Sequence, residues 1–322
     1  MENAPNPANW ERTVLEKLAT EALSEQKRAR RTRTIVSLLW LAFLAMVFFA
    51  LMGWLGNKRD ASSMEKHTAL IELKGVIAAD SKASGDKVIS ALQAAFKDKN
   101  TVGVVLRINS PGGSPVQAGY INDEIKRLRG KYKDIPLYVV VQDICASGGY
   151  YIAVAADKIY VDKASIVGSI GVLMDGFGFT GTMDKLGVER RLITAGANKG
   201  FLDPFSPVNP EQQKYAQQMV GEIHQQFISI VKQGRGKRLK ETPDMFSGLV
   251  WSGEKSVELG LADGLGSLDS VARDVVKAEQ IVDFTADESF SEQFARRFGS
   301  TAAESFFNGI LSSSAANRAA IR

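Results

Sequence analysis

From Ile35 to Leu55 the chain reads IVSLLWLAFLAMVFFALMGWL, 21 residues without a charge. At about 1.5 Å of rise per residue, a helix of that length spans roughly 31 Å, the hydrocarbon thickness of a bilayer. A core helix of a soluble domain keeps a polar face, and this run has none, so it is predicted to be a transmembrane anchor. Trp40 and Trp54 lie towards its two ends, where indole rings favour the membrane interface. The cations of Lys27-Arg28-Ala29-Arg30-Arg31-Thr32-Arg33 precede the run, against Lys58, Arg59 and Asp60 after it. The positive-inside rule then predicts a cytoplasmic N-terminus in a bacterial inner membrane, with the remaining chain outside the cytoplasm, in the periplasm of a Gram-negative source. A cleaved signal peptide has a shorter polar lead and a small-residue cleavage site; 34 residues precede this run, so an uncleaved anchor is predicted. Further upstream, Trp10, Val14, Leu18 and Ala22 have the spacing of a short amphipathic helix that would dock on the inner leaflet, or of a polar tail carrying a few apolar side chains.

The net charge of +4, from 40 basic and 36 acidic residues, invites a nucleic-acid reading. Its location argues against one. The run at 27–33 alone carries five cations, and residues 61–322 hold 31 basic and 30 acidic side chains, so no nucleic-acid partner is expected. The single cysteine, Cys145, excludes an intramolecular disulfide framework.

Beyond Thr68, short apolar runs alternate with helical stretches. Strands are predicted at Ala69–Ile77, Thr101–Ile108, Pro136–Gln142, Lys158–Val161, Ile170–Met174 and Glu189–Thr194. Helices are predicted at Lys87–Lys97, Pro115–Leu128, Ser147–Ala156 and Pro210–Gln233. Runs as dense in Val and Ile as TVGVVLRI suit strands covered on both faces, and the alternation implies an α/β fold with a mainly parallel sheet. The expected organisation is a cytoplasmic segment 1–34, an anchor 35–55, a linker 56–67, a catalytic domain 68–280 and a C-terminal tail 281–322. In the tail, Phe290, Phe294 and Phe298 recur every four residues, as peripheral helices packing on the domain or a neighbour would require, or as a segment that occupies a groove and regulates access.

Histidine is scarce. His67 falls in the expected linker and His224 inside the long helix, so neither is placed for a Ser-His-Asp triad. There is no HExxH and no paired CxxC, so no metal or other cofactor is implied. Two glycine loops follow buried strands. Asn109-Ser110-Pro111-Gly112-Gly113-Ser114 is either a tight strand-to-helix turn or a set of N–H groups aimed at an oxyanion. Ala146-Ser147-Gly148-Gly149-Tyr150-Tyr151 puts a hydroxyl at a helix start between small residues, as an exposed nucleophile or as an N-cap. Without histidine a serine nucleophile needs another base, and a lysine serves where burial favours its neutral form. Lys199 is the only lysine between Lys185 and Lys214, in a small-residue loop beside Phe201, Leu202 and Phe205; a solvated loop lysine has the same local sequence. Cys145 reads as a small buried side chain.

NSPGG at 109–113, ASGGYY at 146–151, ASIVGSIGV at 164–172, Lys199 with Pro204-Phe205 behind it, and WSGEKSVELGLADGLGS at 251–267 occur in that order. As a set, from about Ala69 to Leu268, they resemble the signal peptide peptidase A family of membrane-anchored serine proteases. The resemblance implies a Clp protease/crotonase-like fold, Ser147 as nucleophile, Lys199 as general base, and Ser169 orienting the Lys199 amine. It implies oxyanion donors from Gly112, Gly113 and Gly148. It further implies a homo-oligomeric ring with interior sites, and cleaved signal peptides as substrates. Where the family usually has Ser-Gly-Lys-Tyr-Lys-Asp around the base, this chain has Ala195-Gly196-Ala197-Asn198-Lys199-Gly200. Alternative readings are a membrane-bound quality-control protease with other substrates, a crotonase-like acyl-CoA enzyme, and a scaffold with a degenerate protease domain.

Overall fold

The structure is a computed structural model that describes residues 7–56 and 65–286. Two units divide at Ser62 and Ser63. The first holds a single helix, α1 (Pro7–Gly56), 50 residues long. No proline or glycine interrupts the chain between Pro7 and Gly53, so the upstream segment, the cation run and the apolar run share one unbroken helix. Thr20, Thr32 and Thr34 donate their hydroxyls to the carbonyls of Glu16, Arg28 and Arg30 one turn back. The stretch Glu25–Phe48 is long and apolar enough to cross a membrane. Leu38, Leu39, Leu41 and Leu44 are all exposed on it.

The second unit is built on an eight-stranded sheet. Its strands are β1 (His67–Lys74), β2 (Thr101–Ser110), β3 (Leu137–Ala146), β4 (Lys158–Val161), β5 (Ile166–Gly168), β6 (Val250–Ser252), β7 (Gly264–Leu265) and β8 (Ile281–Asp283). The spatial order is β6-β5-β3-β2-β1-β8, with β4 also on β3 and β7 on β4. Every pairing is parallel except β5 with β6. This is the mainly parallel α/β architecture that the Val- and Ile-rich runs predict, with β2 and β3 at its centre.

One face of the sheet is covered by α2 (Gly85–Lys97), α3 (Pro115–Lys131) and α4 (Gly148–Ala153). α2 buries Val88, Leu92 and Phe96, and α3 buries Ile121, Ile125 and Leu128, spacings of three and four that make one apolar stripe each. These side chains share one core cluster with Ile71, Leu73, Leu106, Ile108, Val139 and Val141 of the central strands. α6 (Pro210–Arg235) starts on an Asn209 side chain that accepts from the Glu211 N–H, with Pro210 at its first position. On the other face Val105 and Val140 pack with Val271, from the helical turn Val271–Val276.

β3 has two neighbours along one edge: Tyr138–Val140 pair with β4, and Ile144–Ala146 with β5. Between them the Ser165 hydroxyl donates to the Gln142 carbonyl.

Several sequence expectations change. Ile170–Met174 and Glu189–Thr194 are not strands. They lie beside no partner strand among the described residues, and a ladder needs one; Leu173 is 80% and Ile193 97% exposed. The helix after Ser147 ends at Ala153. His67 does not belong to a linker: it opens β1 fully buried, with its Nε2 3.2 Å from the Thr101 hydroxyl and its ring stacked on Phe284. The segment expected as tail begins with the edge strand β8; the Phe290, Phe294 and Phe298 pattern lies outside the described residues.

Candidate active site

The registers of β3 and β5 bring two serines together. Ala146 pairs with Gly168, so the next residues, Ser147 and Ser169, leave the sheet side by side. Both do so with positive φ, 51° and 53°, a conformation that non-glycine residues seldom take and that collects at functional sites. The Ser147 N–H donates to the Gly168 carbonyl at 2.9 Å, and the Ser169 N–H to the Leu249 carbonyl at 2.7 Å. Ser147 opens α4, yet its side chain caps none of the helix N–H groups. That removes the N-cap role left open by the sequence and leaves its half-buried hydroxyl uncommitted among the described residues.

The 109–114 loop closes over the same point. Gly112 and Gly113 have φ of +105° and +145°. A Cβ on Gly112 would lie 2.7 Å from Ser147 Cβ and 2.8 Å from the Gly148 nitrogen, so only glycine permits this approach. A Cβ on Gly148 would sit 3.3 Å from the Gly113 nitrogen. Among the described residues the N–H groups of Gly113 and Gly148 have no acceptor, whereas the Gly112 N–H donates to Ser110 Oγ at 3.1 Å. Of the three glycines expected as oxyanion donors, two therefore hold a free N–H beside Ser147. Ser114, not Ser147, is the capping serine, accepting from the Gln117 N–H at the start of α3.

Lys199 is exposed, in a loop tied to α6 by Gln212, which accepts from the Leu202 N–H and donates to Asn198 Oδ1, and no hydrogen bond joins Lys199 to Ser147 or Ser169 among the described residues. The same segment contains α5 (Thr180–Leu186), with Phe179 stacked on Phe205 at 5.3 Å. Leu173, Phe177, Val208 and Ile193 are exposed on it.

Some residues that shape the site escape sequence reasoning. Trp251 of β6 packs its ring on Gly168, where a Cβ would meet it at 2.7 Å, and so backs Ser169. His224 places Nε2 3.1 Å from the Ile170 carbonyl, next to Ser169. Asn122 donates to the Tyr151 carbonyl at 2.7 Å, and the Tyr150 hydroxyl to the Leu261 carbonyl at 2.8 Å, which ties down α4. Ser110 carried a readable signal, since Ser-x-Gly is a pattern in which the hydroxyl accepts the N–H two residues on. Cys145 is fully buried, and burial pushes its thiol up, away from the thiolate a nucleophile needs. Among the described residues no three His, Cys, Asp or Glu side chains cluster as a metal site requires.

Comparison with known proteins places the chain. The model of peptidase family S49 matches residues 129–282. A protein of Synechocystis named as a candidate protease is 32% identical over 206 residues, 64% of this chain and 72% of that protein. A candidate signal peptide peptidase SppA of Enterococcus faecium is 32% identical over 200 residues, 62% of this chain and 58% of that protein. The Na(+)/H(+) antiporter NhaA of Brucella melitensis biotype 1 is 47% identical over 182 residues, 56% of this chain. This chain spans only 25% of that antiporter's length. With its parallel sheet and paired serines, and with identity carried over most of the Synechocystis protein, the chain belongs to peptidase family S49.

Proposed function

We propose that the protein is a membrane-anchored serine endopeptidase that degrades released signal peptides by a Ser-Lys dyad. The observation that carries this reading is Ser147: a positive-φ serine at a sheet end, its hydroxyl free of capping bonds, with the free N–H groups of Gly113 and Gly148 beside it. Ser147 Oγ attacks the peptide carbonyl carbon while its proton passes to the unprotonated Lys199 amine. The Gly113 and Gly148 N–H groups receive the carbonyl oxygen as it gains charge, and each such donor is worth on the order of 3 kcal/mol of transition-state stabilisation. The C–N bond breaks, the Lys199 ammonium returns the proton to the leaving amine, and water then releases the acyl group. Ser169 orients the Lys199 amine.

Lys199 reaches a Ser147 when its segment is covered in a homo-oligomeric ring, within its own chain or across to a neighbouring copy. Support comes from the apolar side chains exposed between Leu173 and Val208. The anchor is 35–55 with a cytoplasmic N-terminus, and support for it is the exposed apolar surface of α1 and the cations before it. The peptidase domain runs from β1 through β8. A signal-peptide substrate is favoured by the Enterococcus relative's name and by an anchor that would hold the site near membrane-derived apolar peptides.

The test uses the full chain in detergent with a fluorogenic peptide and a synthetic signal peptide. Ser147→Ala and Lys199→Ala each lower hydrolysis at least about a thousandfold with unchanged circular dichroism. A fluorophosphonate probe labels Ser147 in the wild type. Retained hydrolysis in either variant overturns the dyad.

A further inference from the structure

We infer that Ser110 is a positioning residue of this site: its hydroxyl takes up the Gly112 N–H and leaves the Gly113 N–H as the loop amide that faces a substrate carbonyl. The inference rests on the reading of Ser147 as nucleophile.

Two consecutive glycine amides are available in the loop, and their peptide planes are held separately. All described peptide bonds are trans, so in each plane the N–H points opposite to the preceding C=O. In the plane between Gly112 and Gly113, the Gly112 carbonyl accepts from the Ile77 N–H at 2.8 Å. The Gly113 N–H must therefore point away from Ile77. On that far side lies Gly148, whose would-be Cβ is 3.3 Å from the Gly113 nitrogen. The plane before it, between Pro111 and Gly112, has no such backbone partner among the described residues. Its N–H is held by Ser110 Oγ at 3.1 Å. Both planes must be set for the Gly113 amide to stay aimed.

The fold explains why a side chain does this. The β2–β3 ladder slips register between Ile108 and Ser110, so the backbone ladder ends just where the loop begins. Ser110 is fully buried, opposite Cys145, and Gly149 lies against it, with a would-be Cβ 3.2 Å from the Ser110 carbonyl oxygen and 3.5 Å from Ser110 Cβ. That space admits a small side chain carrying a hydrogen-bond acceptor, and serine is the smallest. With φ of +105° and no Cβ, Gly112 has little intrinsic preference of its own, and the hydroxyl supplies the missing constraint.

The experiment compares the full-length wild type, Ser110→Ala and Ser110→Cys. Cysteine keeps nearly the serine volume but accepts hydrogen bonds weakly. We read kcat and KM on a fluorogenic peptide, and inhibition by a peptide aldehyde, which adds to Ser147 as a tetrahedral adduct. Ser110→Ala and Ser110→Cys each lower kcat about tenfold or more with KM within about twofold, and weaken aldehyde inhibition by a similar factor, because the donor acts on the tetrahedral state. A purely structural role would lower the fraction of active protein without changing aldehyde affinity. Should Ser110→Ala fail to fold, the near-isosteric Ser110→Cys carries the test alone. Unchanged kcat, or a raised KM at unchanged kcat, in an active and fluorophosphonate-labelled background overturns the role of Ser110 only. A wild type that neither takes the label at Ser147 nor cleaves peptide overturns the nucleophile reading and this inference together.

Discussion

Around Ser147 the backbone is held plane by plane: by β5, by the Leu249 and Gly168 carbonyls, by Ile77 and by a buried hydroxyl. Around Lys199, the stretch from Gly171 to Asn209 contributes no strand and turns Leu173, Phe177 and Ile193 to solvent. A nucleophile and its oxyanion donors must be preorganised to be useful, and one folded chain supplies that organisation. The lysine's segment instead leaves large apolar side chains in solvent, Val208 among them, as a surface awaiting a partner would. The difference teaches that the nucleophile side is organised by the fold of one domain, whereas in the proposed dyad the lysine side would depend on what covers it.

Variants on each side sharpen that contrast. The largest effect on folding is expected at Asp263, which pairs with Arg235, whose side chain is 1% exposed, and with Arg238. Asp263→Ala leaves the buried Arg235 guanidinium uncompensated and should cost about 4 kcal/mol, read as a lower Tm. Desolvation pushes the Asp263 carboxyl up, but the Arg235 bond and charge, the Ile159 N–H and the Arg238 charge outweigh it and hold it below the ordinary value. A depressed folded-state carboxyl stabilises the fold above the unfolded-state value and loses that contribution as pH falls through the carboxylate range. The wild-type Tm should therefore fall on acidification, and Asp263→Asn should flatten that part of the profile.

Next in size is Gly113→Ala. Its Cβ would sit 2.2 Å from the Ile77 oxygen at a φ of +145°, so about 3 kcal/mol of stability and most peptide cleavage should be lost together. Smallest for the fold is Ile193→Glu, at a side chain 97% exposed: the domain's Tm should move by the equivalent of no more than about 0.5 kcal/mol. In sedimentation the same variant should shift the proposed ring towards monomer and lower cleavage with it. A large drop in Tm for Ile193→Glu, or none for Gly113→Ala, would break the contrast.

The fold was legible where physics is local. TVGVVLRI announced a doubly covered strand, and Pro115 and Pro210 marked helix starts that the structure keeps. Ser147 and the glycine loops were visible as residue types. Their geometry was not, because two free amides and a pair of positive-φ serines arise from register between strands far apart in sequence. IGVLM and ERRLIT were misread because apolar β-formers need a partner strand, and composition does not reveal whether one exists. His67 reads as linker in sequence because its polar side chain gives no hint of the buried strand that it opens.

The divided edge of β3 carries one further consequence. The upper ladder, β3 with β5 and β5 with β6, rests on three register pairs at each junction, while β1 and β2 share eight. A block joined so briefly is expected to exchange its amide hydrogens faster than the central strands, a difference that hydrogen exchange read by mass spectrometry would show. Residues 165–171 and 249–252 are thus expected to open before β1 and β2 do, and the nucleophile stands at their margin.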